Sequence, residues 1–299
     1  MRTVRTVAEL RGALSFARRN GSSIGLVPTM GAFHEGHLGL IRRAKATCDV
    51  VVVSLFVNPS QFGEGEDFAN YPRDPHRDAS LASREGVDLL FVPSLEEVYP
   101  PGFSTVVEVN GLGETLCGAA ESRGPEHFRG VATVVTKLLN MCQPDVAFFG
   151  AKDYQQTLVI KRLVRDLDMP VTIEVCPTAR DEDGVALSSR NVYLSDFERR
   201  RARSLKRALD AAERAVRNGA SAPAAIADAA RCELEAAGVK PEYVEVVSAN
   251  HLTPVETIGD EEVLVAIAAR VGKARLIDNV VIAPRETASP PATASEATG

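Results

Sequence analysis

Brief β-branched runs that alternate with helix-period segments constrain this chain more than any other feature. Residues 50–57, 87–92, 146–149 and 171–175 are each mostly apolar and bounded by turn residues. Between the second and third, Val131, Val134, Val135, Leu138, Leu139 and Cys142 recur at a helical period, with Thr133, Thr136, Lys137 and Asn140 interspersed. Strands apolar on both faces and separated by helices predict a parallel sheet covered on both sides. The fold class expected for residues 1–183 is therefore α/β, a Rossmann-like doubly wound parallel sheet. Ligands of such folds bind beyond the carboxyl ends of the strands. Residues 28–37, 58–61 and 150–156 each follow a strand-like run directly, so the chemistry is expected there.

The pattern changes near Asp183. Ser195-Asp196-Phe197-Glu198 reads as a capping box, and Ala202, Leu205, Leu209, Ala212 and Val216 continue from it as a helical stripe. An alanine-rich helix over 222–237 and strands over 243–247, 263–269 and 275–282 complete a smaller α+β domain, expected at 184–284. Residues 285–299, with Ser289-Pro290-Pro291-Ala292, have little to bury and read as a disordered tail. The formal net charge of −6 supplies no global basic field for a polyanion, which disfavours nucleic acid as a partner. No stretch is long and apolar enough to span a membrane, and residues 1–10 lack the apolar centre of a signal peptide. The five cysteines, Cys48, Cys117, Cys142, Cys176 and Cys232, include no Cys-x-x-Cys pair. Free thiols in a reducing compartment fit that usage, and a cytoplasmic location is expected.

Pro28-Thr29-Met30-Gly31-Ala32-Phe33-His34-Glu35-Gly36-His37 joins the apolar run Ile24-Gly25-Leu26-Val27 to a segment with Leu38, Ile41, Ala44 and Cys48 at helical spacing. At such a junction free backbone N–H groups and the positive end of the helix dipole point the same way, which suits a phosphate. Glycine lets a ligand approach the backbone. The imidazoles add donors, or positive charge if their pKa is raised. A zinc site is the rival reading. The zinc-protease pattern H-E-x-x-H places its histidines four apart on one helical face, whereas His34 and His37 are three apart, with Gly36 opposing a helix between them. His76, His127 and His251 are scattered and supply no metal-ligand spacing. The plainest alternative is a pair of exposed histidines on a loop. Against it stands a second polar signal, Ala186-Leu187-Ser188-Ser189-Arg190-Asn191, which follows the turn Asp181-Glu182-Asp183-Gly184.

Together the two segments resemble the paired signatures of the nucleotidyltransferase superfamily, which includes the class I aminoacyl-tRNA synthetases. The resemblance narrows to one family. Pro28-Thr29-Met30-Gly31, Phe56-Val57-Asn58-Pro59-Ser60-Gln61-Phe62, Tyr71-Pro72-Arg73, His127-Phe128-Arg129-Gly130-Val131, Gly150-Ala151-Lys152-Asp153-Tyr154-Gln155-Gln156 and Ser188-Ser189-Arg190-Asn191 occur in the order found in the pantothenate synthetases (pantoate–β-alanine ligases). The resemblance implies ATP-dependent condensation of (R)-pantoate with β-alanine, giving pantothenate, AMP and pyrophosphate through a pantoyl-adenylate. It implies that ATP is held by Met30, Gly31, Ala32, Phe33, His34, Glu35, Gly36 and His37, by Gly150, Ala151, Lys152 and Asp153, and by Ala179, Leu187, Ser188, Ser189 and Arg190. His37, His34 and Lys152 take the catalytic roles, Gln61 and Gln156 bind pantoate, and Gln61 also serves β-alanine. Phe62 and Pro28 would wall pantoate's methyls. Mg2+ is expected with the triphosphate, and a homodimer through the larger domain is implied, with small-molecule substrates as the other partners.

Spacing adds one argument of its own. Gln156 stands three and four residues before Val159 and Ile160, on the apolar face of that helix, while Gln155 points more outward. A buried neutral amide needs a partner, and a hydroxy acid supplies one. Two departures from the family pattern weaken specific assignments. Arg123-Gly124-Pro125-Glu126-His127 carries an extra residue, which leaves the role of Arg123 open. Of the acidic cluster linked to magnesium in some relatives, Asp78 survives but its flanks differ, so no protein ligand is named. Competing functions at this point are a sibling nucleotidyltransferase and a degenerate nucleotide-binding module.

Overall fold

Alternate residues of each strand face opposite sides of a sheet, and here both sides are covered. The structure is a computed structural model and describes residues 1–63, 66–259 and 261–283. The tail expected at 285–299 lies outside the described residues. Strands β1 (Arg2–Val4), β2 (Ile24–Thr29), β3 (Val50–Leu55), β4 (Leu89–Phe91), β5 (Val146–Gly150) and β6 (Thr172–Cys176) pair in parallel, in the order β1-β4-β3-β2-β5-β6. Around them run helices α1 (Val7–Arg19), α2 (Glu35–Thr47), α3 (Pro75–Arg84), α4 (Leu95–Val98), α5 (Pro125–Cys142) and α6 (Tyr154–Asp166).

Leu26 of β2 and Val52 of β3 pack with Leu10 and Leu14 of α1, Leu138 and Leu139 of α5, and Ile160 and Leu163 of α6. Their strand neighbours Val27, Val51 and Val53 pack on the other face with Leu38, Ile41 and Ala44 of α2 and Ala82 of α3. Each such side chain stabilises the fold by about 1.5–3 kcal/mol relative to exposure. That double covering is why the strands read as unbroken apolar runs. Edge strand β1 has no counterpart in the sequence reading. With one buried residue, Val4, it carries too little pattern to be seen.

The chain leaves β2 toward β3 on one side of the sheet and later returns to β5 on the other. Strand order reverses there, so a crevice forms outside the carboxyl ends of β2 and β5.

The smaller C-terminal domain holds α7 (Asp196–Arg217), α8 (Pro223–Ala236) and the antiparallel strands β7 (Pro241–Ser248), β8 (Val263–Val271) and β9 (Ala274–Ile282), in the order β7-β8-β9. The capping box forms as expected: Ser195 Oγ accepts from Glu198 N at 3.4 Å, and the Glu198 carboxylate accepts from Ser195 N at 2.8 Å. Val263, Val265 and Ile267 of β8 pack on Leu205, Leu209 and Ile226 of the two helices. Leu264 and Ala266, on the opposite face, join the core of the large domain instead. The small sheet is therefore bolted to the large domain through a buried face. Among the described residues, no helix is long and apolar enough to cross a membrane.

Candidate active site

Helix α2 begins at Glu35, inside the motif and ahead of the apolar stripe that starts at Leu38. His34 is its N-cap, and Gly36 and His37 lie within its first turn, so Gly36 does not oppose the helix. The His34 Nδ1 atom accepts from Gly36 N at 3.2 Å, and His37 Nδ1 accepts from His34 N at 3.4 Å. A ring nitrogen that accepts carries no proton, so both rings hold theirs on Nε2. The two rings lie against each other with centroids 4.1 Å apart. Burial, then the Lys152 ammonium, push His34 down to about 4. Burial, then His34 and Lys152, push His37 down to about 3. Both imidazoles are thus neutral donors, not the cations that a raised pKa would have made.

The loop before them is held from behind. Gly31 and Ala32 take positive φ, 88° and 53°. Asp78 of α3 accepts from Ala32 N and Phe33 N, each at 2.8 Å, and Arg77 Nη1 donates to Phe33 O at 3.0 Å. A Cβ on Gly31 would stand 2.9 Å from the Asp78 carboxylate, so the loop needs glycine there for space as well as for conformation. Burial pushes the Asp78 carboxyl up, and the two N–H groups oppose that. Asp78 therefore anchors the loop, a role the sequence offered no signal for.

A cavity of about 240 Å3 lies at the crevice, walled by Met30, His34, Gly36, His37, Gly150, Lys152, Asp153, Ala179, Leu187, Ser188, Ser189 and Arg190, together with Gln61 and Gln156. A second cavity of about 610 Å3 adjoins it between the domains and shares Lys152, Asp153, Gln156, Ser188 and Arg190. Part of the expected nucleotide set lines neither one. Phe33 is buried under α2, Glu35 is exposed and paired with Arg42, and Gly31, like Ala32, forms the loop's backbone. Ala151 also stands outside the walls, its carbonyl hydrogen-bonded to Asn279.

The second signature docks on the first. Ser189 Oγ donates to Ala32 O at 3.3 Å, and Arg190 lies 5.8 Å from the Tyr71 ring centre. Asp67 receives the Arg190 fork through both oxygens, at 2.7 and 2.9 Å. Lys152 Nζ stands 3.3 and 3.4 Å from the Asp153 oxygens. Asp153 occupies the N-cap position of α6 but makes no cap bond with its side chain. Burial opposes its ionisation, while Lys152 and Arg190 hold its carboxyl below the usual range.

Gln61 ends a short turn, Pro59–Gln61, pressed so tightly on α5 that a Cβ at Gly130 would meet Ser60 O at 2.2 Å. Its Oε1 accepts from Asn58 Nδ2 at 3.2 Å, while its Nε2 donates to Met30 Sδ at 3.1 Å. Sulfur is a weak acceptor, so a substrate oxygen can replace it easily. The Gln61 carbonyl accepts from His127 Nδ1 at 2.8 Å and from Arg123 Nη2 at 3.2 Å. Arg123 Nη1 donates to His127 Nε2 at 3.0 Å, and Glu66 accepts from Arg123 at 2.6 and 2.7 Å. The extra residue before His127 thus leaves Arg123 inside the cleft, as a brace for Gln61.

Two expectations about neighbours change. Gln155 is buried, not outward: it donates to the carbonyls of Leu112 and Thr115 at 2.8 and 2.6 Å and accepts from Cys117 N at 3.1 Å. Gln156 is the one that faces both cavities. Phe62 lines neither cavity and packs on Phe68 and Tyr71, whereas Pro28 lines the smaller one together with Phe56, Val131, Val134 and Val135.

Comparison with known proteins gives the family. The family model described as pantoate-beta-alanine ligase matches residues 2–281. The pantothenate synthetase of Moorella thermoacetica is 52% identical over 283 residues, 94% of this chain and 99% of that protein. The crystal structure of pantothenate synthetase from Thermus thermophilus superposes with a TM-score of 0.87 at 48% identity, covering 94% of this chain and 99% of the other. That of pantoate-beta-alanine ligase from Francisella tularensis, complexed with beta-gamma ATP and beta-alanine, gives 0.76 at 33% identity, with 94% and 97% covered. The chain belongs to the pantoate–β-alanine ligase family.

Proposed function

We propose that the crevice at β2 and β5 is where this ligase joins ATP to pantoate, and that the residues lining it divide the work as follows. The reaction is the ATP-dependent condensation of (R)-pantoate with β-alanine, giving pantothenate, AMP and pyrophosphate. Pantoate's carboxylate, ionised near pH 7 because carboxyl pKa values lie near ~4, attacks the α-phosphorus. The bond to pyrophosphate breaks, and pyrophosphate leaves with the electron pair. The amine of β-alanine then attacks the acyl carbon of the adenylate, and AMP leaves as the amine loses a proton.

The first step needs no base. It needs two anions aligned and their charge offset. His34 and His37 present Nε2–H groups to the phosphates, and the approaching anion raises their pKa, favouring protonation as charge develops. Lys152 and Arg190 supply fixed cations, Ser188 and Ser189 hydroxyls, and Asp153 a contact for the adenosine. Gln61 and Gln156 orient pantoate, and Gln61 also meets β-alanine. The observation that carries this reading is that His37 and Arg190, from signatures far apart in sequence, wall one cavity.

Magnesium enters with ATP as its counter-ion. Asp78 does not fit as its ligand, because both its oxygens already accept backbone N–H groups. Among the described residues, no three His, Cys, Asp or Glu side chains group as a metal site. Phosphate and water oxygens are the ligands Mg2+ favours in such a setting. A division of the chain near Asp183 is supported by the separate core that starts at Val185. A homodimer through the larger domain rests on the family likeness, and a cytoplasmic location on the cysteine usage.

The test is an AMP-release assay. Release should require pantoate and β-alanine together, Lys152→Ala should lower it roughly a hundredfold, and Gln156→Ala should raise the pantoate KM while ATP binds normally. Sustained pyrophosphate release without the amine, with the nucleotide kept in a stable dinucleotide-like product as a sibling nucleotidyltransferase would make, overturns the reading.

A further inference from the structure

The small domain reaches into the nucleotide site through one strand. On β9, Asn279 donates its amide N–H groups to consecutive carbonyls, Lys152 O at 2.8 Å and Ala151 O at 3.1 Å. Both partners can only accept, which fixes the amide nitrogen toward them. Beside it, Asp278 is 3% exposed and accepts the Arg180 fork at 2.6 and 2.8 Å. Arg180 opens the hairpin, bridged to Ala186, that leads into Ser188 and Arg190, and it also donates to Gly184 O at 3.1 Å. Two adjacent side chains of β9 thus grip both polar segments of the cleft.

The turn that carries Lys152 has little else to hold it. Ala151–Asp153 is a single 3-10 turn whose N-cap, Gly150, has no side chain to cap with. The Asp153 side chain makes no cap bond for the helix that follows. From this we infer that Asn279 is a positioning residue for adenylate formation. Its amide fixes the carbonyls of the turn, and with them the direction in which Lys152 leaves the backbone toward the phosphates. The inference rests on Lys152 acting on those phosphates. Asparagine suits the place because one nitrogen supplies two donors. Aspartate has the same shape but would set an anion against two carbonyl oxygens.

The experiment measures pantoate-dependent ATP–pyrophosphate exchange, without β-alanine, in the wild type, Asn279→Ala, Lys152→Ala and the double variant. Asn279→Ala should lower exchange roughly ten- to hundredfold, the loss expected from a small misplacement of a reacting group. In the Lys152→Ala background the same change should have less than about a twofold effect, since the group it positions is gone. Preformed pantoyl-adenylate should react with β-alanine at near wild-type rate in Asn279→Ala. Asn279→Asp, which keeps the shape, should be at least as damaging to exchange. If exchange in Lys152→Ala falls below detection, the calorimetric Kd for ATP in the same four proteins should show the same pattern. Equal fold-losses in both backgrounds, or a matching loss in the β-alanine step, would mean a merely structural role and overturn the inference. Near-normal exchange in Lys152→Ala would instead sink the reading of Lys152 itself.

Discussion

The loop after β2 and the turn at Ser188–Arg190 face the same cavity, yet they are held in opposite ways. Asp78 is buried behind the loop and accepts two backbone N–H groups, and Phe33 is sunk in the core. Arg190, by contrast, is tied to Asp67 by an ion pair in which each side chain remains about a quarter exposed, at 24% and 26%. Removing a buried acceptor leaves its donors unpaired at about 1–3 kcal/mol each. An ion pair that stays in contact with water typically contributes about 0.2–1 kcal/mol, somewhat more for a bidentate fork. One half of the site is therefore built in, and the other can trade its carboxylate for a phosphate. That contrast suits a reaction in which the nucleotide must be seated first and closed upon afterwards.

Breaking the built-in half should have the largest effect. Asp78→Ala should destabilise the protein by about 2–5 kcal/mol in urea denaturation and weaken ATP binding together with it. A stable variant with normal ATP affinity would mean that the loop holds itself. Arg190→Ala should separate the two properties: melting temperature nearly unchanged, adenylate formation down roughly a hundredfold. A large drop in melting temperature would erase the distinction between the halves.

A pH series sharpens the comparison on the Gln61 side. His127 is buried, and burial followed by Arg123 pushes it down to about 3. Its Nε2 accepts from Arg123, so protonation breaks the brace. The unfolded chain, with a histidine pKa near ~6.5, takes up the proton first as pH falls. The stabilisation is therefore complete above that value and is lost toward pH 3, by up to ~1.4 kcal/mol per pH unit. Urea midpoints for wild type and His127→Gln should converge between pH 7 and pH 4.5. A constant gap would contradict the neutral, buried state. Asp67→Asn should do least, tightening ATP by no more than about fivefold as the competing charge is removed. Weaker binding would show that Asp67 supports the site instead of yielding to it.

Much of this was legible in the sequence, because strands covered on both faces and helical stripes are local patterns. The motif segments fall at strand ends for the same reason. The helix-stripe argument put Gln156 on the inward side, and that residue lines both cavities. It misplaced Gln155, because residues 112–117 fold over that side and bury it. No local pattern could reveal the partners of Asp78, Arg123 or Asn279, which lie tens to over a hundred residues away. The neutral state of His34 and His37 was equally hidden, since it depends on burial and on Lys152.

Crystals soaked with ATP and pantoate, with β-alanine withheld, test the central claim most directly. The account predicts an acyl-adenylate in the crevice, with His37 and Arg190 on its phosphate and Asp67 released. Nucleotide bound elsewhere, or bound with Arg190 still paired to Asp67, would contradict it.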